Sequence, residues 1–214
     1  VSMNASNGPV FSAGHDLKQM TASRNQTDLV EPYFKNVFDT CSSLMKLIVN
    51  CPKPISAEVG GTATAAGCQL VASCDLATAS ESAKFATPGV NIGLFCSTPM
   101  VALSRNVHKK SAMEMLLTGD MITAEKAKEI GLINDYFKLE NLTSETMMLA
   151  NKIASKSSMT VAIGKAAFYT QSELDLSAAY EYTSKVMLNN IQKEDAKEGI
   201  DAFIEKRTPE WSDR

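Results

Sequence analysis

The stretch GGTATAAGCQLVASCD, residues 60–75, carries the pattern in this chain best suited to chemistry. A double glycine, Gly60-Gly61, marks a turn, and from Ala65 to about Asp75 a run of small residues reads as a helix. The first amides of a helix lack intrahelical acceptors, and the aligned peptide dipoles favour negative charge beside them. Ala66 stands at that start, so its N–H suits an anion or an oxygen that gains charge during a reaction. The same small residues also suit close packing of the helix on a strand, and on the residues alone this plainer reading comes first.

Other candidates are thinner. Cys96-Ser97-Thr98 is a polar cluster that could act as a weak nucleophilic site, but no strong base accompanies it, and loop packing explains it more simply. His15 follows a glycine in FSAGHDL, and a lone histidine is usually a surface or structural residue. There is no G-x-S-x-G elbow, no Walker A and no G-x-G-x-x-G. Cysteines stand at positions 41, 51, 68, 74 and 96, an odd number without a CxxC pair. Disulfide frameworks and zinc sites need shorter, matched spacings. We therefore expect no metal, and reduced, mostly buried thiols in a reducing intracellular compartment.

Elements must position these groups. Asn7-Gly8-Pro9 is a turn, Val10-Phe11 a short strand, and Gly14 a second turn. Residues 18–30 are polar and read as mobile. From Pro32, apolar residues at Phe34, Val37, Phe38, Cys41, Leu44, Met45 and Ile48 give one helical face, which ends at Cys51-Pro52-Lys53-Pro54. Strands are expected at 55–60, 76–79 and 84–86, with a long loop over 87–99 punctuated by Pro88, Gly89, Gly93 and Pro99. Helices are expected at 111–117, closed by Gly119, and after the cap Thr123, closed by Gly131. Thr146, Leu149, Ala150, Ile153 and Ala154 line one face of the next, and 178–205 can form one or two more. Strands alternating with helices, followed by helices alone, indicate an α/β core with a helical C-terminal part.

The bulk numbers set limits. At 214 residues the chain can bury a sizeable core. A hydrophobic fraction of 44% and a charged fraction of 21% fit a globular protein. The net charge of −3 offers no basic excess for a phosphate backbone, so nucleic acid is not an expected partner. No apolar run reaches the roughly 20 residues of a membrane span. N-x-[ST] triplets at Asn4, Asn25 and Asn141 are read as chance, since no signal peptide is visible.

Five stretches, in order, resemble the crotonase (enoyl-CoA hydratase/isomerase) superfamily. FSAGHDLKQM is similar to FxAGxDL, and PKPISAEVGGTATAAGCQLVASCDLATAS to PKPxIAAVNGxAxGGGxELALxCDxxxA. KFATPGVNIGLFCSTP resembles the FxxPExxxGxxPxxG loop, TGDMITAEKAKEIGLIND resembles TGxxxxAxEAxxxGLVxxV, and EGIDAFIEKRTPEW resembles EGxxAFxEKRxPxF. The resemblance implies an α/β spiral of β/β/α units over residues 1–136. Over 137–214 it implies a helical region that assembles a homotrimer or a dimer of trimers. The chain is shorter than such proteins usually are, and an early β/α unit is expected to be missing, as in a fragment or a short form.

The resemblance also implies chemistry. Such proteins place negative charge on a thioester oxygen, which two backbone amides must meet; here these would be His15 and Ala66. The ligand would be an acyl-CoA thioester of fatty-acid metabolism, with coenzyme A as part of the substrate and no permanently bound cofactor. Ala13, Asp16, Leu17 and Lys18 would run along the CoA. Lys165, and Lys206 from a neighbouring subunit, would meet its phosphates. The two glutamates of hydratases correspond to Gln69 and Gly89, and Ser97 stands where related hydrolases carry an aspartate. Neither an amide nor a glycine exchanges a proton near neutral pH. The expected function is therefore acyl-CoA binding with weak or no hydratase activity. A hydratase working through the amides and other side chains is the alternative, and a structural subunit without CoA binding is a third. Glutamates restored at both positions together are expected to raise hydration more than either alone. By resemblance the compartment is mitochondrial, otherwise cytoplasmic.

Overall fold

A computed structural model describes residues 1–24 and 30–214; the triplet at Asn25 lies outside the described residues. The chain divides into two compact units, one of residues 3–49 and 55–147, the other of residues 1–2, 50–54 and 148–214.

The first unit is built by strands that alternate between two sheets. One sheet has the order β1 (Ser2–Ala5), β3 (Ile55–Val59), β5 (Leu76–Ser80), β8 (Asp135–Phe137). The other has the order β2 (Val10–Ser12), β4 (Thr62–Thr64), β6 (Lys84–Ala86), β7 (Ile122–Thr123). The first three turns of chain each add one strand to each sheet and then helix, and in the last a helix separates β7 from β8. After β4 comes α3 (Ala66–Ser73). After β6 come α4 (Ser97–Asn106) and α5 (Lys109–Thr118). This is the expected spiral of β/β/α units. The β3–β5, β5–β8, β2–β4 and β4–β6 pairs are parallel; only β6–β7 among the described pairs is antiparallel. Strands buried on both faces need small residues. Ala57, Val59, Ala63, Ala77, Ala79 and Phe85 join Cys68, Val71, Leu103, Met115 and Leu116 of the helices in one core.

Local chemistry sets the helix ends. α2 (Val30–Asn50) stops where Pro52 and Pro54 come next. Gly119 and Gly131, at φ 69° and 83°, supply the left-handed residues that close α5 and the short helix α6 (Ala124–Glu129). Thr123 caps α6 through an Oγ1 that accepts from the Lys126 amide at 3.1 Å.

Several expectations need correction. Residues 17–24 form a helix, α1 (Leu17–Arg24), where a mobile segment was expected. The reason is Asp16, whose Oδ1 accepts from the amides of Lys18 at 2.8 Å and Gln19 at 3.3 Å. The 87–99 loop contains a 3-10 turn, Pro88–Ile92, ended by Gly93 at φ 74°, and its last three residues already belong to α4. β1, β4, β7 and β8 were not expected. They span two to four residues each, too few for a clear alternating pattern, and ladder pairing defines them.

The second unit holds α8 (Ser158–Gln171), α9 (Leu176–Ile191) and α10 (Glu194–Glu205), while α7 (Leu139–Ala154) leads into it. α8 also escaped the sequence reading, because Gly164 and its β-branched residues lower its helix propensity. Ser157 nevertheless caps it, accepting from the Thr160 amide at 3.1 Å. The C-terminal tail is tied down by Asp195, whose carboxylate accepts from the amides of Ser212 and Asp213 and from the Ser212 hydroxyl. Trp211 Nε1 donates to the Ser155 carbonyl at 2.8 Å, so this ring packs within its own chain.

Candidate functional site

β2, β4 and β6 are adjacent parallel strands, and their carboxyl ends deliver three of the sequence-predicted positions to one edge of a sheet. His15 lies three residues beyond β2, Ala66 two beyond β4, and Gly89 three beyond β6. Gln69 sits three residues further along the helix that Ala66 begins.

The loop after β2 is held against the start of α3. Thr64 Oγ1 donates to the Ala13 carbonyl at 3.3 Å, and the Gly14 amide donates to Ser12 Oγ at 3.4 Å. Gly14 has φ 91°, and a Cβ there would lie 3.0 Å from Ala65 Cβ and 3.2 Å from the Ala66 nitrogen. Gly14 therefore leaves no room for a side chain beside the start of α3. One residue on, a Cβ on Gly67 would fall 2.2 Å from the Ser12 carbonyl oxygen. Only glycine allows this approach of helix to strand. The packing reading of the small-residue helix holds at Gly67.

Ala65 turns the chain between β4 and α3. Its φ of 50° and ψ of −118° are rarely adopted by a residue with a side chain, and such conformations cost about 1–3 kcal/mol. The surroundings enforce it, since the Ala65 amide donates to the Ala86 carbonyl at 3.0 Å and its carbonyl accepts from the Gln69 amide at 3.0 Å. Among the described residues the amides of His15 and Ala66 donate to no protein acceptor.

α2 supplies contacts that the sequence reading treated only as core. The His15 ring meets Phe38 edge to face with centroids 6.1 Å apart, and Phe38 stacks on Phe34. One turn beyond Phe38, Cys41 Sγ lies 3.8 Å from Gln69 Oε1. The usable signal was the three-residue spacing of Phe38 and Cys41 on the same helical face as Phe34.

The remaining candidates disperse. The Gly89 amide donates to Cys96 Sγ at 3.3 Å, and its carbonyl accepts from the Leu94 amide at 2.9 Å. Cys96 is buried, whereas Ser97 is exposed and its hydroxyl donates to the Phe95 carbonyl at 3.3 Å. The 96–98 cluster therefore does not converge on a single point. Burial, and secondarily the neighbouring Cys96, push the Cys68 thiol up to about 12, so it is no nucleophile. None of the five cysteines is in a disulfide; Cys68, Cys74 and Cys96 are buried, and Cys41 and Cys51 are partly so. The Asp16 carboxylate is occupied as the cap of α1, and Leu17 and Lys18 are exposed on its first turn. Lys165 and Lys206 belong to the other unit. Lys165 Nζ donates to the Lys53 carbonyl at 3.2 Å, and Lys206 ends α10 in the left-handed conformation.

The family model described as Enoyl-CoA hydratase/isomerase matches residues 3–214. The chain belongs to the enoyl-CoA hydratase/isomerase (crotonase) family. A crystal structure of human enoyl Coenzyme A hydratase domain-containing protein 3 superposes with a TM-score of 0.92 at 51% identity, covering 98% of this chain and 81% of that one. An enoyl-CoA hydratase structure from Bacillus anthracis gives a TM-score of 0.91 at 27% identity, covering 99% and 81%. Among curated family members, the mouse mitochondrial enoyl-CoA hydratase domain-containing protein 3 is 55% identical over 205 residues, covering 96% of this chain and 67% of its own length. The chain thus spans about two thirds of such relatives. Among the described residues no helix is long and apolar enough to cross a membrane.

Proposed function

We propose that this crotonase-family chain binds an acyl-CoA thioester, with the thioester oxygen on the amides of His15 and Ala66, and hydrates enoyl thioesters weakly or not at all. The observation that carries the reading is the 3.2 Å approach of the Gly14 Cβ position to the Ala66 nitrogen. It supports a reading in which the loop carrying His15 lies near the Ala66 amide, at the N-terminus of α3, where the helix dipole favours negative charge. Donors fixed before the reaction begins are worth about 10²–10³ in rate for each one. An enolate-like oxygen would be held there by backbone alone, indifferent to the methyl of Ala66.

Water addition needs more than this. A group must take a proton from water and another must give one to the α-carbon, and such groups contribute about 10²–10⁴. Gln69 can orient water through its amide but cannot accept its proton, and Gly89 has no side chain. The Ala13-to-Lys18 segment is proposed to follow the CoA. A homotrimeric or hexameric assembly and a mitochondrial location complete the proposal; the latter follows the names of the mouse and rat relatives.

Calorimetry with butyryl-CoA, S-butyl-CoA and free CoA tests the reading. S-butyl-CoA keeps the chain and the sulfur but lacks the carbonyl. Butyryl-CoA should bind at least about fivefold more tightly than S-butyl-CoA, from two net hydrogen bonds of roughly 0.5–1.5 kcal/mol each. Equal affinities would remove the amide site, and no binding of any of the three would leave a structural subunit.

A further inference from the structure

Gln69 is a buried polar side chain with 3% of its surface exposed, and only one end of its amide is satisfied by protein. Oε1 faces Cys41 Sγ at 3.8 Å, a distance suited to an S–H···O contact. Burial raises the Cys41 thiol above its ordinary value, so at neutral pH it carries a proton to donate. The other end, Nε2, donates to no group among the described residues. It is also not one of the sealed, unpartnered polar atoms of the interior, which are Ser6 Oγ, Ser56 Oγ, Glu58 Oε2, Thr87 Oγ1 and Asn190 Oδ1. Nε2 is therefore an unpaired donor that protein does not wholly enclose.

We propose that Cys41 is a positioning residue that turns the Gln69 amide so that its NH₂ faces the ligand, and that the site thereby selects acyl-CoA thioesters bearing an acceptor oxygen on the acyl chain, such as 3-oxoacyl thioesters. This rests on the acyl-CoA reading above. Gln69 lies three residues along α3 from Ala66, a rise of about 4.5 Å, within reach of a short acyl chain whose carbonyl sits on Ala66. A carboxylate at this position would present acceptors to such an oxygen and repel it. The amide, with its oxygen engaged by the thiol, presents donors. A buried donor left unpaired penalises ligands that lack an acceptor, which is how a polar pocket discriminates.

The test is the ratio of affinities for acetoacetyl-CoA and butyryl-CoA, measured by calorimetry on the wild type, Cys41→Ser, Cys41→Ala and Cys41→Val. The wild type should favour acetoacetyl-CoA by at least about tenfold. Cys41→Ser keeps a donor and should keep the preference. Cys41→Ala, or Cys41→Val should the alanine variant not fold, should bring the ratio close to one. A wild-type ratio near one, an unchanged ratio without the thiol, or loss of preference in Cys41→Ser would each overturn the proposal. If butyryl-CoA still outbinds S-butyl-CoA in the wild type, only this inference fails; if it does not, the acyl-CoA reading fails with it.

Discussion

A Cβ on Gly89 would lie 2.6 Å from the Leu94 carbonyl oxygen and 2.9 Å from Cys96 Sγ. The turn that begins at Pro88 folds back on itself through the Leu94 amide and the Gly89 carbonyl, so position 89 is closed to side chains. In the enoyl-CoA hydratase pattern a glutamate stands here. This chain has a glycine at the position, without room for a side chain. This geometry argues against the expectation that paired glutamates would act as a unit. Gly89→Glu should destabilise the protein by about 1–3 kcal/mol in urea unfolding, the usual cost of overpacking. Gln69→Glu with Gly89→Glu should hydrate crotonyl-CoA no faster than Gln69→Glu alone. The wild-type rate should sit at least roughly 10³-fold below an ordinary hydratase, given the size of acid–base contributions. The loss of enoyl-thioester absorbance measures all four proteins, and a double variant well above the single would show that the 88–96 turn reopens.

Acid sensitivity of the C-terminal unit is the next prediction. Glu198 accepts two bonds from the Arg207 guanidinium, at 2.6 and 2.9 Å, and one from the Glu210 amide at 2.8 Å. The Arg207 hydrogen bonds, then the Glu210 amide, hold its carboxyl well down, at about 2. A depressed carboxylate stabilises the fold fully above its unfolded value of about 4.3 and loses that contribution as pH falls towards the folded value. Glu198→Gln should therefore lower Tm at about pH 6, and the gap to wild type should narrow between about pH 4 and pH 2. A gap that stayed constant across that range would show that the ionised pair contributes nothing.

How much of this is legible in the sequence differs by element. The spiral is legible from motif order, because each motif marks a strand end or a helix start. The Ala66 helix start is legible because small residues after a double glycine leave few alternatives. Asp16 as the cap of α1 is open to reading, but the polar run from Lys18 onward offers no apolar face and so masks the helix. The Cys41–Gln69 contact is not legible, since it joins residues 28 apart through tertiary packing. Nor is the closure around Gly89, which depends on where the Leu94 carbonyl returns.

Assembly gives a third prediction. Tyr180, Met187 and Leu188 on α9 and Phe203 on α10 are all exposed, Phe203 by 85%. Apolar surface of this kind commonly marks an interaction site, and symmetric homo-oligomers are the usual result. Light scattering at micromolar concentration should give a trimer or hexamer. A stable monomer would contradict the expectation, and Phe203→Glu should shift the distribution towards smaller species.

The most direct measurement of the central claim is the infrared band of a bound thioester carbonyl. Butyryl-CoA labelled with ¹³C at the carbonyl reports only on that oxygen. Two amide donors, Ala66 at the N-terminus of α3 and His15 in the loop after β2, would polarise the C=O bond and weaken it. The account predicts that the band moves to lower frequency on binding, relative to the ligand in water. A band that stays at its aqueous frequency or moves upward would show that the amides of His15 and Ala66 do not hold the oxygen.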